Sequence, residues 1–238
     1  MGYMFENCKS FNKPLNSWDV GNATKMFSMF DGCENFNQPL DSWNVSKVTD
    51  MDGMFRDCAS FNQPLDSWNV LKVTSMNGMF HGCKYFNQPL NSWNVSNVTS
   101  MDDMFCGCRS FNQPLDSWNV SNVTSMNGMF FGCVSFAQSL DSWVFTSLVH
   151  SDDMFKGCRK FNPDLSPWLY IYSPMATNER LKRLAEEARA EAEAEAEAEA
   201  RARREWEMLR MTRKRDYEDN CYRGMSDTEA RIRSNYWD

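Results

Sequence analysis

The sequence predicts an α/β repeat solenoid. Seven stacked 25-residue coils, each with one short parallel strand and one short helix or 3-10 turn, are followed by a long single C-terminal α-helix. Three observations predict it. Phe5, Phe30, Phe55, Phe80, Phe105, Phe130 and Phe155 recur every 25 residues. Cys8, Cys33, Cys58, Cys83, Cys108, Cys133 and Cys158 keep the same interval, as do seven tryptophans from Trp18 to Trp168. A period of that size marks units that cannot bury their apolar sides alone and so stack on one another. From Met175 to Tyr217 there is neither Gly nor Pro, and Ala, Glu and Arg dominate. The chain therefore divides into a solenoid over 1–172, a charged helix over 173–220 and a short terminal helix or hook over 221–238.

Within one coil the apolar positions run Met101, Met104, Phe105, Cys108, Phe111, Leu115, Trp118, Val120 and Val123. Steps of three or four over Met101 to Cys108 predict a short helix or 3-10 turn. The single step of two, Trp118 to Val120, is the strand period and predicts a strand centred on Ser117 to Val120, with its copies as parallel neighbours. The residue before each cysteine is Asn7, Gly32, Asp57, Gly82, Gly107, Gly132 or Gly157. These are the residue types that tolerate a left-handed backbone, so a positive φ is expected at every one. Pro114 pushes Gln113 into an extended conformation. Asn112 and its equivalents are expected to satisfy backbone groups where the coil turns.

The run Val95-x-x-Val98-x-x-Met101-x-x-Met104-Phe105-x-Gly107-Cys108 resembles the BspA-like branch of leucine-rich repeats. The segment Phe-Asn-Gln-Pro-Leu-Asp-Ser-Trp-Asn-Val, as at Phe111 to Val120, is similar to the surface-protein repeat of mycoplasma-type lipoproteins, also found in protists and large DNA viruses. The resemblance spans Met1 to about Trp168. It implies a leucine-rich-repeat-like solenoid used for protein recognition or for structure, and it brings no catalytic residues. Two departures stand out. The chain starts directly in repeat frame, so the first coil lacks a polar cap, and either a partner covers it or the chain begins further upstream. At the other end Ser139 and Asp164 replace the loop proline and Ser151 replaces a methionine, which reads as a terminating coil.

The outward residues of the expected strands form columns: Ser42, Ser67, Ser92 and Ser117 beside Asn44, Asn69, Asn94 and Asn119. In leucine-rich-repeat-like proteins this face is the usual protein-binding surface. Here it is nearly identical from coil to coil, which fits a structural role as well as recognition. Six Asn-x-Ser/Thr sequons begin at Asn22, Asn44, Asn94, Asn97, Asn119 and Asn122 and arise from the repeat itself.

Composition narrows the function further. A net charge of −7 argues against nucleic acid as a partner, and no run of ~18 apolar residues exists to insert into a membrane. Seven of the nine cysteines fall in a file with ~5 Å steps and read as small buried thiols rather than disulfides, favouring a reducing, intracellular setting, while Cys106 and Cys221 lie outside the frame. The only histidines, His81 and His150, lack a nucleophile or metal partner, so no enzyme activity and no cofactor are expected. His81 occupies a variable position and reads as solvent-facing.

Ser173-Pro174 fits a helix start. The alternating Glu and Ala of Glu191 to Ala200 leave no apolar stripe, so the helix reads as a strut through solvent rather than a coiled coil. Trp206, Leu209 and Met211, with Tyr236 and Trp237 beyond a capping box at Ser226 and Glu229, are its candidate anchors. The expected function is that of a scaffold making protein-protein contacts within a large assembly. The alternative is a cell-surface or virion-surface adhesin, which requires a signal upstream of Met1.

Overall fold

The structure, a computed structural model, describes residues 1–162, 186, 189–190 and 192–212. The chain forms two compact parts, Met1–Ala192 and Glu193–Asp238. The expected boundaries near 173 and 221, the hook over 221–238, Trp168, Tyr236 and Trp237 lie outside the described residues.

In the first part the 25-residue repeats lie one on the next in register. Parallel bridges join Lys25 to Asp50, Asp50 to Ser75, Ser75 to Ser100, Ser100 to Ser125 and Ser125 to His150. Like side chains sit on like. The rings from Phe5 through Phe155 stack with centroids 5.5–5.7 Å apart, and those from Phe11 through Phe161 at 5.8–6.1 Å. Trp68 and Trp93 are parallel to within 1°, and Trp118 and Trp143 to within 2°. The core is thus a set of continuous aromatic, methionine and cysteine columns, almost all fully buried.

The backbone differs from expectation in two places. Met101 to Cys108 is neither a helix nor a 3-10 turn. Within it Met104, Cys106 and Cys108 donate to the carbonyls of Met101, Asp103 and Phe105, whereas the amides of Met101, Asp103, Phe105 and Gly107 donate across to Ser125, Asn127, Met129 and Phe131. Local and inter-repeat bonds therefore alternate. The cause is a second left-handed position, unforeseen in the sequence. Positive φ occurs before every described repeat cysteine, as at Asn7, Asp57 and Gly107, but also four residues earlier, at Tyr3, Ser28, Gly53, Gly78, Asp103, Gly128 and Asp153. A left-handed residue every four prevents any run of helical φ.

The strand expected over Ser117 to Val120 does not form; the parallel bridges lie at Ser125 and its equivalents instead. The amide of Trp118 is taken by the carbonyl of Leu115 in a local turn, and that of Val123 by Val120. With those amides used locally, no backbone ladder can run along this edge. The step of two between Trp118 and Val120 reflects a turn that places both inward, and side chains carry the contact between repeats there.

The helix α1 is continuous over 192–212, all of it but Ala192 in the second part. Its side chains are exposed apart from the half-exposed Ala192, as the Glu-Ala alternation predicts.

Candidate functional site

The polar columns on the repeats are tied down by hydrogen bonds, some between repeats and some within one. Ser67 and Ser92 donate Oγ–H to the carbonyls of Asp41 and Asp66, each at 2.8 Å. Ser42 and Ser117 donate in the same way to Asn16 and Asn91. Asn44, Asn69, Asn94 and Asn119 each accept the amide two residues on, at 3.1 Å, a turn that fixes the chain just after Trp. All eight side chains lie on one exposed face. Between repeats 4 and 5, Asn91, Ser92, Asn94, Ser117 and Asn119 line a shallow groove of about 430 Å³.

Inside the turn, Asn12, Asn37, Asn62, Asn87 and Asn112 accept the amide 25 residues on at 2.9–3.0 Å. The same oxygens accept the amide of the following Gln, as in Gln63 to Asn37. In repeat 6, Ala137 still donates its backbone N–H to Asn112 but offers no side-chain acceptor to the repeat that follows.

The cysteines also have a task that their small size concealed. Cys33, Cys58, Cys83, Cys108, Cys133 and Cys158 donate S–H to the carbonyl 28 residues earlier at 2.8–3.0 Å. All are free thiols. Burial pushes their pKa up, to about 11 at Cys33 and about 12 at Cys158, so they are protonated donors at neutral pH. Burial, with the carboxylate of Asp103 beside it, also holds Cys106 at about 11. None of these has the depressed pKa of a nucleophile.

His81 is not solvent-facing. It is half-buried, its Nδ1 is enclosed without a hydrogen-bond partner, and Asp57 Oδ1 lies 3.8 Å away, too far for a hydrogen bond. A second depression, of about 360 Å³, is lined by Tyr3, Phe27, Asp50, Asp52, Arg56 and Asn77. The sequence hinted at it only through the irregularity of repeat position six, held in turn by Glu6, Asp31, Arg56, His81, Cys106, Phe131 and Lys156. No group of three or more potential metal ligands is found among the described residues. Nor is any helix among them long and apolar enough to cross a membrane.

On α1, Trp206, Leu209 and Met211 are 60–67 % exposed. The guanidinium of Arg210 sits 5.6 Å from the Trp206 ring centre, a cation–π contact that holds the indole against its own helix.

The profile of a family described as "Mycoplasma protein of unknown function, DUF285" matches residues 1–82 and again 64–168. The chain belongs to this family. The two DUF285 matches overlap at 64–82. Membership of DUF285 makes this a repeat protein, and the ladders above are built from the repeated residues themselves. No curated protein and no solved structure matches the chain.

Proposed function

We propose that the chain is a non-enzymatic scaffold: a leucine-rich-repeat-like solenoid that docks on one neighbour in a large assembly, with the C-terminal helix bridging to another. The reading rests chiefly on the Ser and Asn columns. Their hydroxyls and carbonyl oxygens are spent on bonds between and within repeats, and they hardly change from repeat to repeat. A surface of that kind presents a uniform stiff face rather than a set of distinct subsites. The exposed Trp206, Leu209 and Met211 supply apolar area for a second contact. Deleting Ser173 to Asp238 should leave the melting of the repeats unchanged and abolish incorporation into the assembly. Normal incorporation of the truncated chain refutes the bridging role.

Membership of DUF285 and the resemblance to mycoplasma-type surface repeats favour a second reading, a cell-surface or virion-surface recognition module of the BspA-like type. Surface biotinylation of intact cells or particles separates the two: labelling supports the adhesin, and protection supports the scaffold.

A further inference from the structure

Asn44, Asn69, Asn94 and Asn119 use only half of their side chains. Each Oδ1 accepts the amide two residues on, which fixes the carboxamide in place. All four side chains are exposed, and among the described residues their Nδ2 groups hold no hydrogen bond. One unspent donor group per repeat therefore stands in file. Asp19 and Val144 take the same position in repeats 1 and 6 and end the file. The stack sets its spacing. Where equivalent rings lie parallel, their centroid separation measures the local step from repeat to repeat. That step widens across the coil, from 5.5–5.7 Å in the Phe5 column and 5.8–6.1 Å in the Phe11 column to 6.4–6.5 Å between paired tryptophans. The asparagines adjoin the tryptophans in sequence and share their step. Two residues of an extended chain advance ~6.6 Å. Over the three intervals from Asn44 to Asn119, such a chain laid along the stack drifts by about 0.5 Å, whereas at the Phe5 step it would drift by about 3 Å.

We propose that this file binds one extended segment of a partner protein, laid along the stack with two residues per repeat, every second backbone carbonyl accepting from an asparagine Nδ2. The inference rests on the docking role proposed above and gives the chemistry of what docks. A helix keeps its carbonyls in its own bonds except in the last turn. An extended segment turns a carbonyl to the same side at every second residue, in step with the asparagines. Its side chains alternate as well, so each flank of the segment carries every second one. Asn91 shares the groove with Asn94 and Asn119 and belongs to a second column, whose members Asp41, Asp66, Asp116 and Asp141 are exposed. Asp41 and Asp116 accept the Nδ2 groups of Asn16 and Asn91 through one oxygen and keep the other. That flank selects lysine or arginine at alternate positions of the segment and repels a nucleic acid or an acidic chain.

The test titrates the full chain with two end-capped octapeptides of equal composition, one alternating Lys and Thr, the other with its lysines in adjacent pairs. Calorimetry should show saturable binding of the alternating peptide and about tenfold weaker binding of the paired one. The decisive variant is Asn69→Asp with Asn94→Asp. Aspartate makes the same turn, as Asp19 does for the Gly21 amide at 3.0 Å, but puts an acceptor where the donor stood. Loss of two hydrogen bonds should weaken the alternating peptide about tenfold, although the added negative charge attracts lysine. Asp66→Asn should weaken it about threefold and flatten its salt dependence. Near-UV circular dichroism of the buried tryptophans reports that both variants stay folded. No binding, equal binding of the two peptides, or equal or tighter binding by the double aspartate variant overturns the proposal, the last by reducing it to charge attraction. Co-sedimentation of the intact chain with its assembly separates the two levels: a chain that incorporates but takes no peptide refutes the extended segment alone, whereas one that never incorporates refutes docking itself.

Discussion

Replacing Trp93 with phenylalanine removes one hydrogen bond and part of one buried ring from the middle of the stack, whereas the same change at Trp18 removes no hydrogen bond and trims a partly exposed ring. Trp93 is 2 % exposed, and its Nε1 donates to the Leu65 carbonyl at 2.8 Å. Loss of a buried neutral hydrogen bond costs about 1 kcal/mol. The void left by the smaller ring, roughly 40 Å³ at about 24 cal/mol per Å³, adds about 1 kcal/mol. The Leu65 carbonyl keeps the amide of Trp68 at 3.1 Å, so no acceptor is orphaned and the sum stays near 2 kcal/mol. Trp18, 40 % exposed, should lose less than about 0.5 kcal/mol on the same substitution. Urea unfolding of both full-length variants, followed by far-UV circular dichroism at constant m-value, measures the pair. Equal losses at the two positions, or a loss below about 0.5 kcal/mol at Trp93, refute the claim that the indole ladder links the repeats.

The remaining expectations concern single positions in the same ladders. Gly82 and Gly107 share a φ of +72°, but a Cβ at Gly82 would lie 2.2 Å from Asp57 Oδ1 and one at Gly107 no nearer than 3.7 Å to Gly82. Gly107→Ala should therefore cost about 1 kcal/mol of left-handed strain and Gly82→Ala about twice that, read by thermal melts of the two variants. Asn87→Ala strips the acceptor from the Asn112 amide, while Gln113 keeps the backbone carbonyl of residue 87, and should cost about 1–2 kcal/mol in urea unfolding. The buried thiols have folded pKa values above their ordinary value of 9.0, about 11 at Cys33 and about 12 at Cys158. The stabilisation they contribute is complete below about pH 9 and is lost as pH rises through the folded values. Urea midpoints should thus fall steeply between pH 9 and 12, and Cys83→Ala should flatten the slope. At pH 8, iodoacetamide should label the exposed Cys8 well before Cys33 or Cys106, as peptide mass spectrometry of the folded chain would show.

Much of the core was legible because the spacing of 25 never slips: Phe, Cys, Leu and Trp recur at fixed offsets and face inward in repeats 2 to 6, and Val does so in repeats 2 to 5, with Phe145 and Leu148 in its place in repeat 6. The positive φ at Gly107 and its equivalents followed from residue type alone. The same reasoning missed Asp103, because Tyr, Ser, Gly and Asp share that position and only the glycines signal it. It also read Trp118 to Val120 as a strand, since spacing cannot tell an extended pair from a turn that puts two side chains on one side. Hydrogen bonds 25 to 28 residues apart leave no local trace, so the role of Cys83 emerged only from the fold, whereas Asn87, expected to satisfy a backbone group at the turn, does so for the amide of the next repeat. At the candidate face, the eight Ser and Asn positions were readable as a column, but the partners of their side chains were not.

Because alternate amides between Met101 and Gly107 are given to the following repeat, no repeat closes its own bonding. Starting such an array is therefore costly, while each added unit repeats a transaction already made. A genetic duplication or loss of one whole period leaves every surviving junction chemically the same. A change of one residue throws all later rungs out of line. Length should thus be the most freely evolving property of these proteins, altered in steps of 25.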